Sequence, residues 1–283
     1  MTFAQRQISL QFSGANGTVS LEGLKCSAII ANPGGSSAFG QLQLRAWGMT
    51  LDQMNEYSST GVNMVASQNQ SVTVSAGNVG GAMTQVFAGT LMRSFIDFAN
   101  LPDVCFTCSA VSGYADKATP KPPNSYAGAH NAEDIIAGLA ASANYQFSNK
   151  NGAHAVLRNQ YLSGSVVDQM QTTARAAAFP LVIENNTVTI WPNNGIRDNV
   201  VINLGPDTGL IGYPSYWEAG FVVKSEFNPL IANGRTINLT SSLPKANGSW
   251  PTQNVVHELS TLDPDGPWFT TARLAPAPYV PAN

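Results

Sequence analysis

Residues 205–229 read GPDTGLIGYPSYWEAGFVVKSEFNP. Gly, Pro and Asp are too frequent here for a helix, and the apolar residues too many for a loose linker. Asp207-Thr208-Gly209 and Gly212-Tyr213-Pro214 carry turn chemistry, because Gly tolerates positive φ and Pro fixes its own φ while restraining its predecessor. Leu210, Ile211, Tyr213, Tyr216, Trp217, Phe221, Val222 and Val223 lie between and after these turns. The pattern predicts a folded corner packed on a core, followed by a strand from about Ala219 that ends at Phe227-Asn228-Pro229. The stretch reads as a hinge between a front part of the chain and a second β-rich domain.

On the N-terminal side, alternation dominates. Ile8, Leu10 and Phe12 alternate with polar residues, and Gly14-Ala15-Asn16-Gly17 is a turn. Val19 to Ile30 continues in two runs, Pro33 to Ser37 reads as a loop, and Leu42, Leu44 and Ala46 alternate up to Trp47-Gly48. Thr50 and Gln53 fit a capping box opening a helix over Leu51 to Tyr57. Strands are expected at Val72–Val74, Val86 to Thr90, Met92 to Phe98 and Val104 to Val111. Pro120, Pro122 and Pro123 predict an extended connecting arm within 112–130.

From Asn131 onward the period changes. Asn131 can cap a helix with Ile135, Ile136, Leu139, Ala140 and Ala143 on one face, and Ser165 another with Val166, Met170, Ala174 and Ala177. Leu181 to Trp191 predicts a hairpin with an Asn185-Asn186 turn, pairing Leu181 with Ile190 and Ile183 with Val188. After the hinge, Arg235 to Leu239, Val255 to Leu259 and Trp268 to Ala272 read as strands. The expected fold class is mainly β with an α+β insertion. Its parts are a first β domain at 1–111, the connection, a module at 131–198, a second β domain at 199–275 and a C-terminal arm at 276–283.

Composition narrows the function. Of 283 residues only 11% are charged, and the net charge is −3. Typical soluble domains carry about 25% charged residues. A neutral polar surface suits a subunit packed among others. Nothing basic marks a nucleic-acid or anionic-membrane footprint. No signal peptide or bilayer-length apolar run is read, which predicts a chain made in a cytosol.

Chemical motifs are sparse. Cys105 and Cys108 form a CxxC, but DVCFTCSAV reads as a strand, where positions i and i+3 point to opposite faces. His130, His154 and His257 are scattered, so no metal site is expected. Asp263-Pro-Asp265-Gly266 is a tight turn, since no Glu closes a calcium loop. No catalytic constellation and no cofactor motif is found.

Longer phrases carry a resemblance. LQLRAWGMTLDQMNEY from Leu42, GLIGYP from Gly209, FNPL from Phe227, and Trp250 followed by VHEL from Val256 resemble phage baseplate hub proteins of contractile tails. These are related to the heads of type VI secretion spikes. The resemblance implies two tail-tube-like β-barrel domains in one chain, with a small α/β module. It implies a homotrimeric structural virion protein of the tail baseplate, assembled in the host cytoplasm. Such a hub joins the sixfold tail tube, or a distal tail protein, to the threefold central spike. Its other neighbours are baseplate wedge proteins and the tape measure protein, and DNA passes only through its lumen, with no membrane insertion. The Gly209, Gly212, Tyr213, Pro214 corner and the Phe227, Asn228, Pro229 turn are the expected shape-determining interface elements, with Trp47 and Trp250 as packing anchors. For each, plain core or turn duty within one subunit is the competing reading. Two rival functions are a carbohydrate-binding β-sandwich of tail-fibre type, which would expose Trp217, and a peptidoglycan-cleaving baseplate enzyme.

Overall fold

A computed structural model describes residues 5–15, 17–34, 39–59, 70–193 and 195–276. Asn16 of the predicted first turn, most of the Pro33–Ser37 loop and the C-terminal arm beyond residue 276 lie outside the described residues. The chain divides into two compact units.

The first unit comprises residues 1–31, 40–114 and 256–269. Its strands are β1 (Arg6–Gly14), β2 (Gly17–Leu21), β3 (Cys26–Asn32) and β4 (Gln41–Trp47), then β5 (Ser71–Asn78), β6 (Thr84–Asp97) and β7 (Cys105–Val111), with helix α1 (Leu51–Tyr57) between β4 and β5. Period-two patterning places Ile8, Leu10 and Phe12 on one face of β1, and all three are buried. The predicted capping box closes α1: Thr50 Oγ1 accepts from Gln53 N at 3.3 Å, and Gln53 Oε1 accepts from Thr50 N at 3.0 Å. Tyr57 at its end is buried and donates to the Phe12 carbonyl at 3.4 Å, which ties the helix to the core side of the sheet. The two strands expected over Val86–Phe98 are one strand, bent by a register shift between Leu91 and Arg93. A bulge of this kind lets a single strand change direction without ending, and no local turn signal marks it.

The second unit comprises residues 32–39, 115–255 and 270–283, and holds two cores. Its first part contains α2 (Tyr114–Ala118), β8 (Asn124–Asn131), α3 (Ala132–Ser142), β9 (Gln146–Asn149), β10 (Val156–Leu162), α4 (Val166–Ala176), β11 (Leu181–Glu184) and β12 (Thr187–Ile190). The Pro-rich stretch is therefore not wholly an extended arm. Three prolines hold its middle extended, but Tyr114–Ala118 is helical and Asn124–Asn131 pairs antiparallel with β10. The 181–191 hairpin has the predicted register, and both turn asparagines adopt positive φ, 49° and 60°. Strand β9 runs parallel to β12, a long-range pairing with no local signature. Ser165 and Asp168 form a capping box at α4. At α3, Asn131 occupies the cap position, but its amide donates to Asp134 Oδ2 at 2.9 Å instead of capping the backbone. The apolar faces of both helices meet the hairpin in one core, with Ile136, Val167, Met170, Val188 and Ile190 at its centre.

The rest of the second unit is β13 (Val201–Leu204), β14 (Leu210–Trp217), β15 (Gly220–Glu226), β16 (Thr236–Leu239), β17 (Gly248–Thr261) and β18 (Trp268–Leu274). The strand order here is β14-β15-β18-β17, with β16 on β17 and β13 parallel to β16. In the first unit it is β17-β3-β4-β7-β6-β5-β1-β2. Both β17 and β18 contribute residues to the two units. Gly248 and Pro251, residue types that more often end a strand, lie within β17, where Pro251 pairs with Thr236. The 205–229 stretch is not a hinge. The strands that flank it, β13 and β16, pair with each other, so it is a hairpin inside one sheet.

Candidate assembly surfaces

The corner at 205–217 is built from backbone geometry. Pro206–Thr208 form one 3-10 turn, in which the Gly205 carbonyl accepts from Thr208 N at 3.0 Å and from Leu210 N at 2.9 Å. Gly209 then takes φ +92°, a left-handed conformation suited to glycine, and its carbonyl accepts from Glu226 N at 2.9 Å. Gly212, at φ +68°, lies where the β14–β15 register shifts between Ile211 and Ser215. That irregularity breaks the two-residue alternation. As a result Pro214 turns inward and is buried, while Tyr213 and Tyr216 are 75% and 65% exposed, Tyr216 keeping one ring contact with the buried Phe221 at 5.1 Å between centroids. Strand β14 is the last of its sheet order. Pro214 offers no N–H along it, a common way of blunting an exposed edge.

The Phe227-Asn228-Pro229 turn is held by its asparagine. Asn228 N donates to Thr270 Oγ1 at 3.1 Å, and Asn228 Oδ1 accepts from Leu230 N at 2.9 Å. Phe227 and Pro229 are half-buried beside it. Both tryptophan anchors are half-buried within their own units. The Lys25 ammonium sits 5.1 Å from the Trp47 ring, and Trp250 donates from Nε1 to the Ala246 carbonyl at 2.8 Å while meeting Phe221 edge-on at 5.1 Å. Trp47 belongs to the first unit and the other eight candidates to the second. Trp217 is half-buried, donates to the Leu274 carbonyl at 3.2 Å and lies under the Arg273 guanidinium, a poor platform for stacking a sugar.

Sequence reading missed one apolar surface. Phe95, Phe98 and Leu101, at the end of β6 and in the loop before β7, are 37%, 51% and 71% exposed. Large apolar side chains clustered at a loop tip mark contact sites more often than chance exposure. The signal available in sequence was Phe-x-x-Phe-x-x-Leu running past the end of a strand.

The titratable groups point to structure. Burial pushes the thiols of Cys26 and Cys108 up to about 12, opposed at Cys26 by a hydrogen bond with Thr261, so neither is a thiolate nucleophile near neutrality. Cys105 Sγ lies 3.7 Å from Thr107 Oγ1, on the strand face opposite Cys108. His257 is buried, and desolvation lowers it to about 4. Among the described residues no three His, Cys, Asp or Glu side chains are placed to hold a metal.

Residues 40–273 match the family model for baseplate hub gp41. The chain belongs to that baseplate hub family. This makes the hub a structural component of a phage tail. Its fold is similar to that of a tail protein from Neisseria meningitidis MC58, at 9% identity and a TM-score of 0.65, covering 94% of the hub and 96% of that chain. It is equally similar to the 43 kDa tail protein of prophage MuSo2 from Shewanella oneidensis, at 10% identity and a TM-score of 0.65, covering 96% and 97%. The E. coli c3393 protein, a type VI secretion component described as similar to the T4 tail proteins gp27 and gp5, aligns at 10% identity with a TM-score of 0.57, over 89% of the hub and 73% of that chain. At such identities the likeness is one of fold. A search of curated proteins by sequence found no match.

Proposed function

We propose that the hub assembles as a homotrimer that joins the sixfold tail tube to the threefold central spike and lines the channel through which DNA leaves. The observation that carries this reading is a family match over residues 40–273 in a β-rich chain that divides into two compact units. Two tube-like barrels per chain, built mainly on 1–111 and 199–275, give six in a trimer, and six meets a sixfold ring above while three meets the spike below. The module at 131–198 decorates the outside.

Assembly draws its free energy from covering what a lone subunit leaves open. Obligate interfaces commonly bury about 2,000 Å² or more. Phe98, Leu101, Tyr213 and Tyr216 are the exposed apolar side chains to place there, and the Gly209–Tyr213 corner and Phe227–Pro229 turn set the shape of the surface that carries them. Wedge and tape measure proteins are the further neighbours, and assembly takes place in the host cytoplasm. Cryo-electron microscopy of the hub mixed with its spike protein tests the reading. A complex with threefold symmetry and six barrels around an axis is expected, and a complex of any other order would refute it.

A further inference from the structure

Strands β8 and β10 form a sheet of their own, and among the described residues no third strand joins it. A two-stranded ribbon is marginal in water unless one face is packed. Here Tyr126, Leu157 and Leu162 lie on the core of the α/β module. The opposite face is open. Val156 and Tyr161 are 53% and 68% exposed, and the exposed Arg158 stands between them in β10. A register shift between Arg158 and Gln160 returns Tyr161 to the face of Val156 and Arg158 despite its odd spacing. The bulge is fixed by Asn159, at φ +51°, whose Oδ1 accepts from Gly128 N at 2.9 Å. The nearest acids in sequence are already engaged. Glu133 accepts from Ala155 N and pairs with His154, and Asp134 accepts from Asn131. Among the described residues no ion pair includes Arg158.

The loop between β6 and β7 carries the complementary chemistry. Phe98 and Leu101 are 51% and 71% exposed, and the exposed Asp103 follows Leu101 by two residues. Asp97 serves the loop itself, its Oδ1 accepting from Ala99 N at 2.9 Å. Asp103, like Arg158, belongs to no ion pair among the described residues. We infer that the β6–β7 loop of one hub docks on the β8–β10 ribbon of the next, an inference resting on the trimer proposed above. Asp103 meets Arg158, while Phe98 and Leu101 cover Val156 and Tyr161. Opposite charges steer such surfaces together, and the apolar side chains around them exclude water once they meet. A second copy is the fitting occupant because each chain supplies both halves, one of each. The contact is heterologous, so every copy gives its loop to one neighbour and its ribbon to the other. Three copies close the ring and leave neither surface open.

The test uses phage particles whose hub carries Asp103→Cys together with Arg158→Cys, treated with a short bismaleimide and run on a denaturing gel. The native Cys26, Cys105 and Cys108 are buried and should not react. The expected result is hub joined into species of two and three chains and none larger, with each single-cysteine variant remaining one chain. Hub that stays at one chain in normally assembled particles would overturn the inference while leaving the hub reading intact. Species larger than three chains would overturn it as well, since the contact would then run on without closing.

Should the double-cysteine hub fail to assemble, charge reversal in the purified hub with its spike protein decides the matter. Arg158→Glu sets two like charges together at each of the contacts in a ring, and is expected to raise the concentration at which the complex dissociates about 10-fold or more. Adding Asp103→Lys restores opposite charges and should recover most of that loss. Dissociation unchanged by Arg158→Glu, or not recovered by the second change, would overturn the inference. A native hub that stays at one chain with and without the spike would refute the trimer reading itself, and this inference with it.

Discussion

Phe12 of β1 and Phe106 of β7 meet edge to face with ring centroids 5.6 Å apart, although β5 and β6 stand between their strands. In a flat sheet three strand spacings would separate them by roughly 14 Å. The sheet must therefore curl so that both rings point into one interior, as a barrel wall does. Phe12 also packs on Tyr57, so three aromatic rings occupy the middle of this core. Truncating Phe106 to Ala leaves a void there that the curled wall cannot close. The expected loss is about 3–5 kcal/mol, read as a lower midpoint in denaturant unfolding.

Two glycines with positive φ should respond unequally to the same change. A Cβ at Gly212 meets nothing within 4 Å, so Gly212→Ala pays only backbone strain, about 1 kcal/mol. At Gly234, φ +79°, a Cβ would stand 2.8 Å from Arg197 Cβ and 2.9 Å from the Trp191 ring. Arg197 is itself held by Glu184 at 2.9 Å. Gly234→Ala is expected to cost about 2–5 kcal/mol, since strain and overpacking combine. Thermal unfolding of the two variants side by side measures the difference.

Removing the α4 cap gives a smaller, local effect. Ser165 Oγ accepts from Asp168 N at 3.1 Å, and Asp168 Oδ2 accepts in turn from Ser165 N at 3.2 Å. Ser165→Ala should cost about 1 kcal/mol. Hydrogen exchange should quicken in the first turn of α4.

Acid should weaken the first unit before ordinary carboxylates titrate. Desolvation lowers His257 from 6.5 to about 4, so the folded protein resists a proton that the unfolded chain accepts. Its neutral state contributes no pH dependence above 6.5. As pH falls from 6.5 towards 4 the unfolded state gains protons that the folded state does not, and stability drops by an amount on the order of 3 kcal/mol. Denaturant midpoints across that range should fall for the native chain and stay nearly level for His257→Gln.

Tyr213, by contrast, should matter little to a lone subunit. It is 75% exposed on an edge strand, so Tyr213→Ser is expected to change subunit stability by no more than about 0.5 kcal/mol. If the β14 edge is an assembly contact, the same change raises the concentration at which oligomers dissociate, which sedimentation velocity reads.

Local chemistry was legible in the sequence, and distant pairing was not. Thr50 and Gln53, Ser165 and the Asn185-Asn186 hairpin each act within a few residues, and each stands where its residues imply. The parallel pairs β9–β12 and β13–β16 join segments about 40 and 35 residues apart, and no turn or period announces them. The 205–229 stretch shows both sides. Gly209 and Gly212 have the positive φ their residue type suggests, yet the turn residues mark a hairpin and not a hinge, because the pairing of its flanking strands lies outside it. Tyr213 looked like core for a related reason: period-two reasoning does not see the bulge that turns it outward. The Phe95–Leu101 surface was hidden because an apolar residue at a strand end reads the same whether it is buried or offered to a partner.

Light scattering behind size exclusion measures the assembly state of the hub, alone and mixed with its spike protein. A trimer, or a monomer that becomes a three-to-three complex with the spike, is the predicted result. A monodisperse monomer whose mass does not change with spike protein present would contradict it.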